Sequence, residues 1–122
     1  MGNRAVITTR AKDIGIYLHW NGGRDSVNGF LAYARMTDQR NPEYDCYGWA
    51  RLCQIIANVF EDAEYGMKDG KIQRIGSKLG TCSVGIARYD DLDTDNGDNG
   101  VYIIEGWKIV DREFKRGGEQ MT

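Results

Sequence analysis

The sequence predicts an α+β fold, an antiparallel sheet with two consecutive helices packed on one side. Short β-branched runs stand near both ends of the chain, at Ala5-Val6-Ile7-Thr8-Thr9 and Val101-Tyr102-Ile103-Ile104. Between them, from Asp25 to Phe60, apolar residues recur at helical spacing. The order strand, strand, helix, helix, then several strands does not alternate as βαβ units do. A chain of 122 residues fits a single domain, 1–122, which needs no staple to fold.

The run from Ala5 is the first expected strand. Lys12-Asp13 supplies a polar turn, and Gly15-Ile16-Tyr17-Leu18-His19-Trp20 is the second strand, so residues 4–20 form a hairpin that Asn21-Gly22-Gly23 breaks. Val27, Phe30, Leu31 and Ala34 then mark a helix with Asp25 or Ser26 as its N-cap, and Asn41-Pro42 closes it. A second helix is expected over 44–60, its stripe made by Trp49, Leu52, Cys53, Ile56, Val59 and Phe60. Residues 62–80 read two ways: as a hairpin turning at Asp69-Gly70, or as a longer second helix ending in a basic loop. A strand follows at Cys82-Ser83-Val84-Gly85-Ile86-Ala87. Residues 90–100 form a long acidic turn region, and Val101-Tyr102-Ile103-Ile104 and Trp107-Lys108-Ile109-Val110 close the sheet, split by Glu105-Gly106. Residues 116–122 read as a frayed tail.

Composition narrows the function. A net charge of −2 lacks the basic excess of a protein that coats duplex nucleic acid, since phosphate neutralisation drives that binding. No apolar stretch is long enough to span a membrane, and the N-terminal residues lack a signal-peptide core. Cys46, Cys53 and Cys82 are an odd number without a Cys-x-x-Cys pair, which suits reduced thiols in a cytosolic core.

The segment 20–26 joins a strand to a helix through two glycines. Helix N-termini offer free N–H groups and a positive dipole end, Arg24 a bidentate donor for phosphate or carboxylate, and Trp20 a flat face for a base. The pattern is neither Gly-x-Gly-x-x-Gly nor a Walker loop, and an ordinary strand-to-helix turn uses the same residues. On residues alone the structural reading stands slightly ahead. Gly48 beside Tyr47 and Trp49 fits close helix–helix packing. Arg51 lies off the apolar stripe, either as a solvated arginine or facing a ligand.

Asp91, Asp93 and Asp95 imitate the start of a calcium loop. Asn96 then stands where that loop needs Gly, and Tyr102 where it needs a bidentate Glu, so a solvated loop with Asn-Gly turns is preferred. Its Asn side chains offer both donors and acceptors to a ligand. Lys68, Lys71, Arg74 and Lys78 form a weak basic run that is usually a solvated face. His19, the single histidine, fits a satisfied structural role, and no hydrolase or zinc motif is present. No catalytic residue, metal or cofactor is therefore expected.

Three groups of residues carry a resemblance. They are Gly2-Asn3-Arg4-Ala5-Val6-Ile7-Thr8 with Tyr17-Leu18-His19-Trp20-Asn21-Gly22-Gly23-Arg24-Asp25-Ser26, then Asp45-Cys46-Tyr47-Gly48-Trp49-Ala50-Arg51-Leu52-Cys53-Gln54, and Asp95-Asn96-Gly97-Asp98-Asn99-Gly100-Val101-Tyr102-Ile103-Ile104. With these the chain resembles small proteins of phages and prophages in Gram-positive bacteria, most closely the first-described type of Thoeris anti-defence proteins. Residues 61–79 are the least similar part.

The resemblance implies a sponge that is not an enzyme. It would sequester the cyclic ADP-ribose isomers made by TIR-domain proteins, without cleaving them, in the cytoplasm of the infected bacterial host. It implies a homodimer or higher homo-oligomer with pockets near subunit contacts, and for some members a separate site for cyclic oligonucleotides. Such a ligand needs arginines and amides for its pyrophosphate, an aromatic for its adenine, and Asn or Asp for its riboses. By residue type and placement the candidates are Trp20, Asn21, Arg24, Arg51, Arg88, Asn96, Asn99 and Arg112. Two rivals stand beside this reading: an enzyme that degrades the signal, and a phage protein that blocks a host protein by direct binding.

Overall fold

The computed structural model describes residues 3–60, 64–76, 84–116 and 119–121. Its order is β1 (Ala5–Thr8), β2 (Ile14–Leu18), α1 (Arg24–Met36), α2 (Cys46–Phe60), β3 (Glu64–Lys68), β4 (Lys71–Gly76) and β5 (Val84–Arg88). A short 3-10 turn at Tyr89–Asp91 precedes β6 (Val101–Glu105), β7 (Lys108–Arg116) and β8 (Glu119–Met121). Six strands form one sheet in the order β5-β2-β1-β6-β7-β8, while β3 and β4 form a two-stranded sheet of their own. The α+β class is as the sequence predicts. One pairing departs from an antiparallel sheet: β1 and β6 run parallel, Val6 opposite Val101. The long path between them, through both helices, is what a parallel pairing requires.

Strand alternation sorts the core into two layers. Ala5, Ile7, Ile16, Leu18, Tyr102 and Ile104 face the helices and meet Val27, Phe30, Leu31, Ala34, Trp49, Leu52, Ile55 and Ile56. Val6, Val101 and Ile103 point the other way, where Tyr17, Tyr89 and Leu92 cover them. The acidic loop thus has an apolar underside. A side chain at Gly15 would collide with Leu92, which packs directly over that glycine.

All four apolar positions expected on α1 are buried. Its N-cap is Gly23 rather than Asp25 or Ser26, with no side-chain cap. Gly22 lies close against Asn3 and Ala5 and Gly23 is extended, so helical geometry begins one residue before Asp25, which then lies in the first turn where a carboxylate suits the dipole. In α2, the Tyr47 N–H donates to Asp45 Oδ1 at 2.8 Å. That cap sets the helix start at Cys46, not 44. The side chains of Val59 and Phe60, expected on the same stripe, lie outside the described residues.

Gly48 has a different reason from the one its neighbours suggest. A Cβ there would stand 2.5 Å from Pro42 N and 2.6 Å from Arg40 O, so the glycine lets α2 approach the backbone of residues 40–42, not α1. Gly48→Ala gains up to about 1 kcal/mol of helix propensity. It loses more to overpacking against backbone, about 1–3 kcal/mol. A net drop in the urea unfolding midpoint with an unchanged m-value is the expected result.

The Asp69-Gly70 hairpin reading holds. Both residues take positive φ, 54° and 75°, as a two-residue type I′ turn demands. The β6–β7 hairpin uses the same geometry at Gly106 and Trp107, φ 59° and 60°. Trp107 was expected in the strand, and tertiary contacts hold it in the turn. Its indole is 3% exposed. Nε1 donates to Gln39 O at 2.9 Å, and its own carbonyl accepts from Arg35 Nη1 at 2.6 Å. Burial of the indole offsets the roughly 1–2 kcal/mol that a left-handed L-residue costs. Residues 119–121, which the sequence reads as part of a frayed tail, pair with β7 through Phe114 opposite Met121. Cys82, Ser83 and Lys78 lie outside the described residues.

Candidate ligand site

Because β1 and β6 run parallel and β2 runs against β1, the starts of β1 and β6 and the end of β2 share one end of the sheet. The Asn3 N–H donates to His19 O, and the Gly22 N–H to Asn3 O, each at 2.8 Å. Asn99 Nδ2 donates to Asn3 Oδ1 at 2.6 Å and to Arg4 O at 3.0 Å. Arg4 Nε in turn pairs with Asp98 at 2.9 Å. This guanidinium, and then the Arg4 backbone N–H, hold the Asp98 carboxyl below the usual carboxylate range.

Tyr102 lies beneath this cluster. Its hydroxyl donates to Gly22 O at 2.8 Å. Arg112, opposite Tyr102 in the β6–β7 register, stacks its guanidinium between two rings, 4.5 Å from Tyr102 and 4.4 Å from Phe114. Arg112 Nε and Nη2 donate to Asn99 O at 3.3 and 3.2 Å. Burial pushes the Tyr102 phenol up, and the charges of Arg112 and Arg24 pull it back down.

The first turn of α1 has no side-chain cap, which leaves its N–H groups available to an anion. Trp20, 42% exposed, stands beside it with its ring edge-on to His19 at 5.0 Å between centroids. His19 Nδ1 is 3.1 Å from the Tyr17 hydroxyl, the satisfied structural role read for it. Asn21 is exposed at φ 57°.

Gly22 now has a packing reason. A Cβ there would lie 2.5 Å from Asn3 O and 2.7 Å from Ala5 Cβ, and both of its backbone polar groups are taken up by the fold. The glycine seats the turn on β1. The chemistry open to a ligand belongs to Trp20, Asn21, Arg24 and the helix start.

Five of the eight candidates meet here: Trp20, Asn21, Arg24, Asn99 and Arg112. Three do not. Asn96, expected beside a ligand, is 2% exposed inside its own loop. Its Nδ2 donates to Asp93 O and Gly100 O, and its Oδ1 accepts the N–H groups of Asp98 and Gly100. A side-chain amide with four such bonds has nothing left for a ligand. Arg88 pairs opposite Ile14, at the other end of the sheet. Arg51 is exposed on α2 and lines a separate groove of about 540 Å³ with Asp38, Gln39, Arg40 and Tyr47. There Arg40 lies over the Tyr47 ring at 4.9 Å and pairs with Asp45 at 2.9 Å.

Sequence reading passed over Tyr102 and Asn3 as members of the site. Tyr102 carries an ordinary strand signal, and only the pairing register sets Arg112 against it. Burial raises the Cys53 thiol, so it holds less nucleophilic thiolate, and both described cysteines are free. Among the described residues no group of three or more His, Cys, Asp or Glu side chains is placed to hold a metal ion. Among them, too, no helix is long and apolar enough to cross a membrane. In comparisons with known proteins, the chain matches no family model, no curated protein and no solved structure.

Proposed function

We propose that this protein is a phage anti-defence sponge that binds a cyclic ADP-ribose-type signalling nucleotide at the end of the sheet and holds it uncleaved. In this role it silences TIR-dependent immunity in the bacterial cytoplasm. The observation that supports this best is Arg112 stacked on Tyr102 at the end of the sheet where Gly22, hydrogen-bonded to the Tyr102 hydroxyl, leads into Arg24, the uncapped start of α1 and the exposed Trp20. Two guanidinium groups and helix amides suit a pyrophosphate, Trp20 an adenine, and Asn21 a ribose. A sponge must outcompete a receptor, and a Kd of about 1 nM corresponds to roughly −12 kcal/mol. That affinity calls for an enclosed site, so the reading includes a second copy of the chain that closes over the ligand.

The test is capture and release. Protein mixed with the cyclic nucleotide, freed of excess and heated should return the ligand with unchanged mass. Recovery of ADP-ribose would establish the degrading enzyme instead. Absence of thermal stabilisation by every ADP-ribose isomer and cyclic nucleotide would favour direct blocking of a host protein. Arg24→Ala should weaken capture by about 10–100-fold with the melting temperature unchanged, since it removes charge-assisted bonds from an exposed side chain. Arg51→Ala should capture as the wild type does. The reverse pattern would move the ligand to the groove at Tyr47 and Arg51.

A further inference from the structure

The groove beside α2 has a make-up that the nucleotide reading leaves unused. Its walls are held by the fold. α1 ends in a Schellman-type turn, in which the Asp38 N–H donates to Arg35 O and the Gln39 N–H to Ala34 O, each at 3.1 Å. Gln39 O accepts from Trp107 Nε1 at 2.9 Å, and Gly48 seats α2 against the backbone of residues 40–42. Tyr47 and Arg51 stand one helical turn apart on α2 and share the face that lines the groove with Asp38, Gln39 and Arg40. Its volume of about 540 Å³ suits a small molecule.

Asp38 distinguishes this groove from an ordinary solvated face. It takes φ 56° just past the helix, a position that glycine fills without strain and an aspartate only at some cost. Its carboxylate also stands at the C-terminus of α1, where the free carbonyls carry partial negative charge and favour a cation instead. Asp38 is thus unfavourable on two counts, and among the described residues neither it nor Arg51 has an ion-pair partner. The Asp45 carboxylate is already engaged, by Arg40 at 2.9 Å and by the Tyr47 N–H at 2.8 Å. Among the described residues the groove therefore offers one carboxylate and one guanidinium without partners, beside the half-exposed ring of Tyr47.

We propose that this groove binds a small zwitterion, an amino acid or short peptide whose ammonium meets Asp38 and whose carboxylate meets Arg51. A ligand of one charge fits the lining poorly. An anion would be repelled by Asp38, and a cation by Arg51 and Arg40. A ligand that carries both charges satisfies both partnerless groups at once, and Tyr47 gives its apolar part a ring to lie against. The nucleotide proposed at the end of the sheet plays no part in this second site.

Isothermal titration at neutral pH with the standard free amino acids and a set of dipeptides tests it. At least one probe should bind with a Kd of about 10 μM to 1 mM, and its length reads the span between the two charges. N-acetylation of that probe removes the ammonium and C-terminal amidation the carboxylate, and each should weaken binding by about 10–100-fold. Asp38→Asn should weaken the free probe to the same extent and leave the acetylated probe unchanged, while Arg51→Ala should do the same for the amidated one. Asn accepts the left-handed geometry and removes a charge that opposes the helix dipole, so Asp38→Asn should melt at or above the wild-type temperature. Silence of every probe at about 10 mM would overturn the proposal. So would modified probes that bind as well as the free one, or variants that bind it as the wild type does. Inorganic phosphate that binds more tightly to Asp38→Asn, with no amino acid or dipeptide bound, would make the groove a plain anion site and overturn it as well.

Discussion

Gly100→Ala should reduce folding stability by about 3–5 kcal/mol, a large share of the roughly 5–15 kcal/mol that holds a typical domain together. Gly100 has φ 69°, which by itself costs an L-residue about 1–2 kcal/mol. The larger effect is steric. A Cβ at this position would fall within the van der Waals envelope of the Glu113 carbonyl oxygen and lie 3.1 Å from Phe114 Cδ1. Neither side can yield cheaply. Gly100 O accepts the Val6 N–H at 2.9 Å, and Asn96 grips both backbone groups of Gly100. The obstructing oxygen belongs to β7, which is paired to β6. Urea unfolding should show a strongly lowered midpoint. Gly106→Ala separates the two causes, because Gly106 has φ 59° with open space around it. It should lose only the backbone term, about 1–2 kcal/mol. Equal losses for the two variants would show that the clash at Gly100 relaxes freely.

Asn96→Ala should cost about 2–4 kcal/mol. Four hydrogen bonds disappear together, and the two Gly100 groups left behind are buried. An unsatisfied buried donor or acceptor costs about 1–3 kcal/mol, although Gly100 O keeps the Val6 N–H as a partner, so the losses do not simply add. Hydrogen exchange is the sharper measurement. The amides of Asp98 and Gly100 should lose protection in the variant, while those of α1 keep the protection set by global unfolding. If both sets change equally, Asn96 supports the whole fold and not the loop alone. A loosened loop would also release Asn99, on which Arg112 rests, so ligand capture should weaken in step with the exposure of those amides.

The helices were legible because their signals are local. Val27, Phe30, Leu31 and Ala34 announce a buried face through spacing alone, and Asp69-Gly70 announces its turn through backbone chemistry. The strands at 5–8 and 101–105 were legible for the same reason. Trp107 was misplaced because its indole reads as a strand residue, whereas Gln39, Arg35 and the core hold it in a turn. Gly48 looked like helix–helix packing, and Gly22 fitted an ordinary strand-to-helix turn slightly better than a ligand site. Both are seats for backbone that lies elsewhere in the chain.

The candidate site divides along the same line. The sequence by itself determined that Trp20, Asn21 and Arg24 sit at the junction of a strand and a helix, since a change of hydrophobic period and two glycines mark that junction. It also determined the α+β class and the absence of any basic excess. Only the tertiary structure decided that β6 lies parallel to β1, and with it that Asn99 and Arg112 join the junction while Arg51 and Arg88 do not. Asn96, read as a ligand group, became the interior of its own loop by the same route. The bonds responsible link Asn3 to Asn99 and Arg4 to Asp98, positions 96 and 94 residues apart. Strand pairing over such separations is chosen by which faces bury together and which polar groups saturate one another, and no local pattern of residues records that choice.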